Sequence, residues 1–323
     1  MPEPLADENR PAAEDGRPLA PEAARPRIVV ISGTNASGKS RLALDLAARL
    51  GGEIVSADSR QVYTGLDLGT GKVTPEEQAR VPHHLLDVAD PRERYTLFDY
   101  QRDAYAALDD ILARGKVPFM AGGTGLYVNA VVDGYALVDV PVDPDLRAEI
   151  EPLAPEVLAA RLERDHPEYA AITDLNNPRR LVRAIEVASA GVSVDDFHTK
   201  RPRYSALHFG VTWPREVLAD RIEERLDRRL ADGMVEEVEA LLASGVTHER
   251  MLELGLEYRS VSEYLRGEWP SLDAMKAELA MQIRRYAKRQ MTWFRKRTDI
   301  EWMDMSAPDV DALEARIRAF TAA

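Results

Sequence analysis

A chain of 323 residues, 45% of them hydrophobic, is long enough for one large domain or two modest ones with buried cores. It contains no cysteine, which excludes disulfides, thiolate metal sites and cysteine nucleophiles together. No apolar run approaches the ~18–20 residues of a membrane span, and a net charge of −13 argues against a nucleic-acid partner unless positive charge is concentrated somewhere along the chain.

Residues 1–26 are rich in Pro, Ala and acidic side chains, without periodicity or an apolar signal core, so a disordered tail and a cytoplasmic address are expected. Arg27–Ile31 is an apolar β-branched run typical of a buried parallel strand. After a Gly-rich loop, Leu42, Leu46 and Leu50 recur at helical spacing until Gly51-Gly52 stops the helix. Glu53–Ser56 reads as a second strand leading to Asp58, and His84–Val88 as another apolar stretch. A helix follows over about Leu97–Arg114, then a strand at Val117–Ala121 running into Gly122-Gly123-Thr124-Gly125. This alternation predicts an α/β core, a parallel sheet flanked by helices. From about 134 to 204 strand signals vanish, and proline-broken helical periodicity predicts an inserted all-helical domain. A strand returns at Leu207–Thr212, followed by helices near 214–231, 234–243 and 273–297, a short strand at Ile300–Met303 and a helix over 309–320. The expected organisation is therefore a tail (1–26), a core (27–133 and 205–323) and a helical insertion (134–204).

Residues 33–40, Gly33-Thr34-Asn35-Ala36-Ser37-Gly38-Lys39-Ser40, match the P-loop pattern in full and lie between a strand and a helix. The glycines let backbone N–H groups turn onto phosphate oxygens, Lys39 neutralises charge, and the Ser40 hydroxyl is the candidate magnesium ligand. The pattern does not say which phosphate compound is held. Asp58 sits just past a strand, at the sheet edge where α/β proteins bind ligands. There it is a magnesium ligand or general base, or equally a helix N-cap. Thr124 reaches the same edge. Arg221 and Arg225 lie four apart, an anion clamp or a solvated helix face.

Two basic features stand out from the acidic background. Asn177 and Pro178 open a helix whose positive end carries Arg179, Arg180 and Arg183; an anionic partner would relieve the conflict, and Glu186 could offset one charge. Between Met281 and Arg297 there are seven basic and no acidic residues, with Tyr286 and Trp293 among them. Leu279, Ile283, Ala287, Gln290 and Phe294 form the core-facing stripe of this helix. The remaining faces suit an RNA phosphate track with stacking.

Together these segments resemble the bacterial tRNA dimethylallyltransferases, the isopentenyl-tRNA transferase family, from about Ile28 to Trp302. The resemblance rests on the P-loop, Asp58-Ser59-Arg60-Gln61-Val62-Tyr63, Gly69-Thr70-Gly71-Lys72, Val81–Asp87, Gly122–Tyr127, Asn177–Arg183 and Arg285-Tyr286-Ala287-Lys288-Arg289-Gln290. It implies a P-loop NTPase-like core and transfer of a dimethylallyl group from dimethylallyl diphosphate to the exocyclic amine of the adenosine 3′-adjacent to the anticodon, in tRNAs reading codons that start with U. By motif, Asp58 is then the general base, Thr124 and Arg225 stabilise the leaving diphosphate, and residues 33–40 hold it with Mg2+ at Ser40. The tRNA anticodon stem-loop is met by Asp58, Ser59, Arg60, Gln61 and Gly122, by Arg179, Arg180 and Arg183, and by Arg284, Arg285, Lys288, Arg289 and Gln290. A monomer is expected. Two departures are visible: Thr34 stands where the family commonly has proline, and Glu253–Arg259, a loop that meets RNA in the family, differs from its usual Gly-Tyr-[Lys/Arg]-Glu form. The alternatives are an adenylate prenyltransferase and a P-loop nucleotide kinase.

Overall fold

The computed structural model describes Pro21 and residues 24–322; the expected tail falls largely on residues 1–20, 22 and 23, outside the described residues. The chain divides into two compact units, one of them Asp133–Arg203 and the other the sequence on either side of it.

The larger unit is built on six strands: β1 (Arg27–Gly33), β2 (Glu53–Ser56), β3 (His83–His84), β4 (Pro118–Gly122), β5 (Ser205–Thr212) and β6 (Ile300–Asp304). Their order is β3-β2-β4-β1-β5-β6, and every neighbouring pair is parallel. All C-terminal strand ends therefore share one edge. Side chains of β1 alternate between two cores, as the period of a strand requires. Ile28 and Val30 join Met120, Tyr100, Leu108 and Ile283 on one face. Val29 and Ile31 join Leu42, Leu46, Phe119 and Ile317 on the other. Each such fully buried aliphatic side chain contributes about 1.5–3 kcal/mol of transfer free energy. The expected parallel α/β sheet flanked by helices is the fold observed.

Three local features differ from expectation. Of the apolar stretch 84–88 only His84 joins a strand, the two-residue His83–His84, because Leu85 and Asp87 take positive φ (62° and 55°) and turn the chain away. The stretch 253–259 is not a loop: it spans the helices His248–Leu254 and Leu256–Leu265, separated at Gly255 with φ 136°. The long helix Leu272–Phe294, capped by the Ser271 hydroxyl, buries Leu279, Ile283, Ala287, Gln290 and Phe294 as the stripe predicts, but ends at Phe294, before the last basic residues. Among the described residues no helix is long and apolar enough to cross a membrane.

The Asp133–Arg203 unit has its own core, formed by Leu158, Leu162, Tyr169, Leu181 and Ile185. Its helices are Pro144–Ile150, Pro155–Asp165, Pro167–Ala170, Pro178–Ser189 and Val194–His198. An antiparallel bridge, Tyr135 to Lys200, closes its two ends. The Asn177 side chain caps Pro178–Ser189 by accepting from the Arg180 N–H. The buried Glu186 carboxylate accepts from Arg147 at 2.6 and 2.9 Å and from Arg183 at 3.3 Å. Arg183 also donates to the Val140 carbonyl at 3.0 Å. Its guanidinium is thus engaged by Glu186 and the Val138 and Val140 carbonyls, which offsets its charge near the helix start without an external anion. Arg179 and Arg180 stay exposed on the same helix.

Candidate active site

Three loops meet at the C-terminal edge of the sheet: the P-loop after β1, residues 57–60 after β2 and Gly123–Gly125 after β4. The P-loop feeds the helix Lys39–Leu50 through Gly38 at φ 88°, a left-handed conformation suited to glycine. No side chain caps that helix, so its first N–H groups are open to an anion. Packing makes glycine obligatory elsewhere too. A Cβ on Gly122 would lie 2.0 Å from the Ala57 carbonyl oxygen, and one on Gly123 3.2 Å from that of Gly33 and 3.4 Å from Lys39 Nζ. Gly122 is therefore a close-packing position between β2 and β4.

Thr124 ties the two other loops together. Its hydroxyl accepts from the Ser59 N–H at 3.0 Å, and its own N–H donates to the Ala57 carbonyl at 3.1 Å. Asp58 caps no helix. Its Oδ1 accepts from the Arg60 N–H at 2.9 Å, a local turn that fixes the carboxylate, while Oδ2 accepts no hydrogen bond among the described residues. Behind these loops Tyr100 stacks on Tyr127 with centroids 3.7 Å apart and donates to the Ser56 carbonyl.

A cavity of about 430 Å³ opens beside the P-loop, lined by Ala36–Arg41, Gly71–Val73 and one face of the helix Arg215–Ala231. Lys39 is buried there, donating to the Thr34 carbonyl at 3.2 Å. Burial pulls its ammonium down to about 8, against the opposing effect of Asp58. Arg221 donates to the Ala36 carbonyl at 2.9 Å and lies 4.5 Å over the Trp213 ring, whose indole N–H donates to the Ser37 carbonyl. Arg225 donates to the Gly71 carbonyl at 3.3 Å. Burial and the neighbouring Arg229 lower its pKa to about 9, offset by Glu257 and Asp58. Arg229 is 3.4 Å from Glu257, whose carboxyl burial pushes up against the pull of both arginines. Six cationic side chains line the cavity (Lys39, Arg41, Lys72, Arg221, Arg225 and Arg228) against two carboxylates, Glu77 and Glu224, which leaves excess positive charge that an anionic ligand would neutralise.

Gln290 is buried, its Oε1 accepts from the Asn35 N–H at 2.9 Å, and its Nε2 donates to the Gly123 carbonyl at 2.9 Å. It clamps the P-loop to the Gly122-Gly123 turn, the inward place that its position on the core-facing stripe predicts. Trp293 packs against Gly125. On the other faces Arg285, Lys288, Arg289, Arg295 and Lys296 are exposed. Among the described residues none of these five pairs with a carboxylate, while Arg284 pairs with Glu223 and Arg297 with Asp299.

Sequence reasoning missed Arg229, Glu257, Glu237 and Trp213. Arg229 was within reach of it, since Arg221, Arg225 and Arg229 recur every four residues on one helix face. For magnesium, the oxygen donors lining the cavity are the exposed Ser40 hydroxyl, the Ser37 hydroxyl and the Glu77 and Glu224 carboxylates. Among the described residues no three His, Cys, Asp or Glu side chains gather to hold a metal. Such a sparse, all-oxygen donor set suits an ion that keeps its waters and is held mainly by substrate phosphates.

Comparison with known proteins agrees with this geometry. The sequence model of the IPP transferase family matches residues 61–297. The chain is 46% identical to tRNA dimethylallyltransferase 2 of Citrifermentans bemidjiense, covering 90% of this chain and 94% of that one. It is 44% identical to its counterpart in Syntrophotalea carbinolica, covering 91% and 98%. Among solved structures it is similar to the tRNA isopentenylpyrophosphate transferase of Bacillus halodurans (TM-score 0.67, 37% identity, 92% and 95% covered). It is also similar to a eukaryotic dimethylallyltransferase acting on tRNA (TM-score 0.76, 25% identity, 91% and 78% covered). With the family model spanning most of the chain and relatives this similar along nearly its whole length, the chain belongs to the IPP transferase family.

Proposed function

We propose that the protein transfers a dimethylallyl group from dimethylallyl diphosphate to the exocyclic amine of an adenosine in tRNA, the one 3′-adjacent to the anticodon in tRNAs reading codons that start with U. The observation that carries this reading is a carboxylate, Asp58, fixed by a local turn at the sheet edge and near enough to Lys39 and Arg225 of the P-loop cavity to act on their charges, in a chain whose relatives are named tRNA dimethylallyltransferases.

The P-loop amides, Lys39 and Arg225 bind the diphosphate, and Thr124 hydrogen-bonds it at the loop junction. The adenine amine attacks C1 of the dimethylallyl group. A carbon–nitrogen bond forms as the carbon–oxygen bond breaks, and the electron pair leaves on the diphosphate. Asp58, with Oδ2 unengaged, accepts the proton the amine sheds. Lys39 and Arg225 stabilise charge growing on the leaving oxygen, where burial strengthens their effect. Ser40 would hold Mg2+, which supplies further charge neutralisation to the diphosphate. The adenosine leaves its stack to reach this edge. Arg285, Lys288, Arg289, Arg295 and Lys296 take up RNA phosphates, as do Arg179 and Arg180 of the helical unit.

The test is incubation with dimethylallyl diphosphate, Mg2+ and unmodified tRNA, followed by nucleoside mass spectrometry. Prenylated adenosine at the position after the anticodon is expected. Prenylated AMP without prenylated tRNA, or phosphoryl transfer from ATP, would overturn the reading.

A further inference from the structure

The Gly69-Thr70-Gly71-Lys72 motif has no role in the chemistry above, yet its Gly71 and Lys72 line the P-loop cavity. Its carbonyls are where the buried arginines end. Arg229 donates to the Gly69 carbonyl at 3.1 Å and Arg225 to the Gly71 carbonyl at 3.3 Å. Both glycines are demanded by these contacts. A Cβ on Gly71 would lie 2.0 Å from the Nη2 atoms of both arginines, and the residue has φ 62°. A Cβ on Gly69 would lie 2.5 Å from the Tyr258 ring.

The loop is itself anchored at two points. The Lys72 ammonium, on a side chain only 3% exposed, donates to the Tyr63 carbonyl at 3.0 Å and pairs with Asp67 and Asp87. On the other side a single carboxylate, Glu237 of the helix Met234–Ala243, collects three successive backbone N–H groups. Its Oε2 accepts from Asp67 at 3.1 Å and Leu68 at 2.6 Å, and its Oε1 from Gly69 at 3.0 Å. The Tyr258 hydroxyl donates to the same Oε1 at 2.7 Å. Four donors on one carboxylate make charge-assisted hydrogen bonds, and they hold the loop from the side away from the cavity.

We infer that residues 67–72 are a rack for the diphosphate-facing arginines, and that Glu237 is a positioning residue acting on Arg225 through this loop. Glu237 touches neither substrate. It presses the Gly69 and Gly71 carbonyls toward the helix Arg215–Ala231, where they fix the two guanidinium groups. A freely rotating arginine would lose rotamer entropy on binding the anion; a racked one has lost it already. The inference rests on the reading of the cavity as a diphosphate site.

The experiment measures binding of inorganic diphosphate with Mg2+ by calorimetry, and of tRNA by filter retention, on the full chain. Glu237→Gln places an amide NH2 against backbone N–H donors and is expected to weaken diphosphate binding by about tenfold, with tRNA affinity within about twofold of wild type. Gly71→Ala pushes directly on both guanidinium groups, leaves the Glu237 bonds intact and is expected to show the same split, so it decides the matter if Glu237→Gln does not fold. Diphosphate binding within about twofold of wild type in the folded variants, or a parallel loss for tRNA, would overturn the inference. A wild-type protein that binds no diphosphate would overturn the reading of the cavity and the rack with it.

Discussion

The P-loop cavity and the basic helix both concentrate positive charge, but they hold it in opposite ways. Around the cavity Lys39, Arg225 and Arg229 are largely buried, and each donates to a backbone carbonyl. Along and just past Leu272–Phe294, Arg285, Lys288, Arg289, Arg295 and Lys296 stand in solvent, without carboxylate partners among the described residues. Buried charges are costly unless something compensates them, and their geometry is fixed, so they suit one small anion held in one pose. Exposed charges act through summed, salt-screened contacts, and so suit a long polyanion that need only be gripped. One helix serves both regions, with Gln290 on its inner face and the unpaired cations on its outer ones.

Substitutions on the two sides should therefore separate cleanly. Among the cations of the two regions the largest effect is expected from Lys39→Met, which should lower kcat/KM for dimethylallyl diphosphate by about 10²–10³ and leave the KM for tRNA near wild type. Because burial holds Lys39 at about 8, the wild-type ammonium loses its proton as pH rises through that value. Affinity for dimethylallyl diphosphate should then fall above pH 8, and Lys39→Met should lack that fall. Gln290→Ala, which removes two hydrogen bonds that clamp the P-loop, should cost about tenfold in the same parameter. It should leave tRNA affinity within about twofold of wild type; a larger loss of tRNA affinity would place Gln290 on the RNA surface. Arg285→Ala with Arg289→Ala should weaken tRNA binding and flatten the slope of log K against log salt by about 1.4–1.8, with diphosphate affinity untouched.

The smallest functional effect belongs to a residue outside both regions. Glu53, bonded to Arg114 and His84, has its carboxyl held at about 2, below its ordinary 4.5. A depressed carboxyl pKa contributes stability that is complete above the ordinary value and is lost as pH falls toward 2. Glu53→Gln should lower unfolding free energy by about 1–3 kcal/mol at neutral pH, as read by denaturant titration, with turnover unchanged, and should weaken the dependence of stability on acid.

What could be read in the chain beforehand follows the range of the interactions. The P-loop, the strands leading to Asp58 and Thr124, and the stripe of the long helix are local patterns, and the structure contains them. Gln290 was open to two readings, since it lies in a basic run and on the apolar stripe at once; helical periodicity was the better guide, because it reports which face is buried. Arg183 has one partner legible in the sequence, Glu186 three residues on, whereas the Val140 carbonyl and the second arginine on Glu186, Arg147, come together only through tertiary packing. Glu257 and Glu237 gave no local signal. Glu257 meets an arginine 28 residues earlier, and Glu237 meets amides about 170 residues earlier, contacts set by helix packing rather than by spacing. The loop at 253–259 was misread because Gly255 breaks what would otherwise show as continuous helical periodicity.

The central claim is that Asp58 takes the proton from the adenosine amine while other residues hold both substrates. It is tested most directly by the single-turnover rate of Asp58→Asn, with saturating dimethylallyl diphosphate and prebound tRNA. The account predicts a rate lower by about 10²–10⁴ with both dissociation constants near wild type. A near-normal rate, or a loss that tracks weakened binding of either substrate, would contradict it.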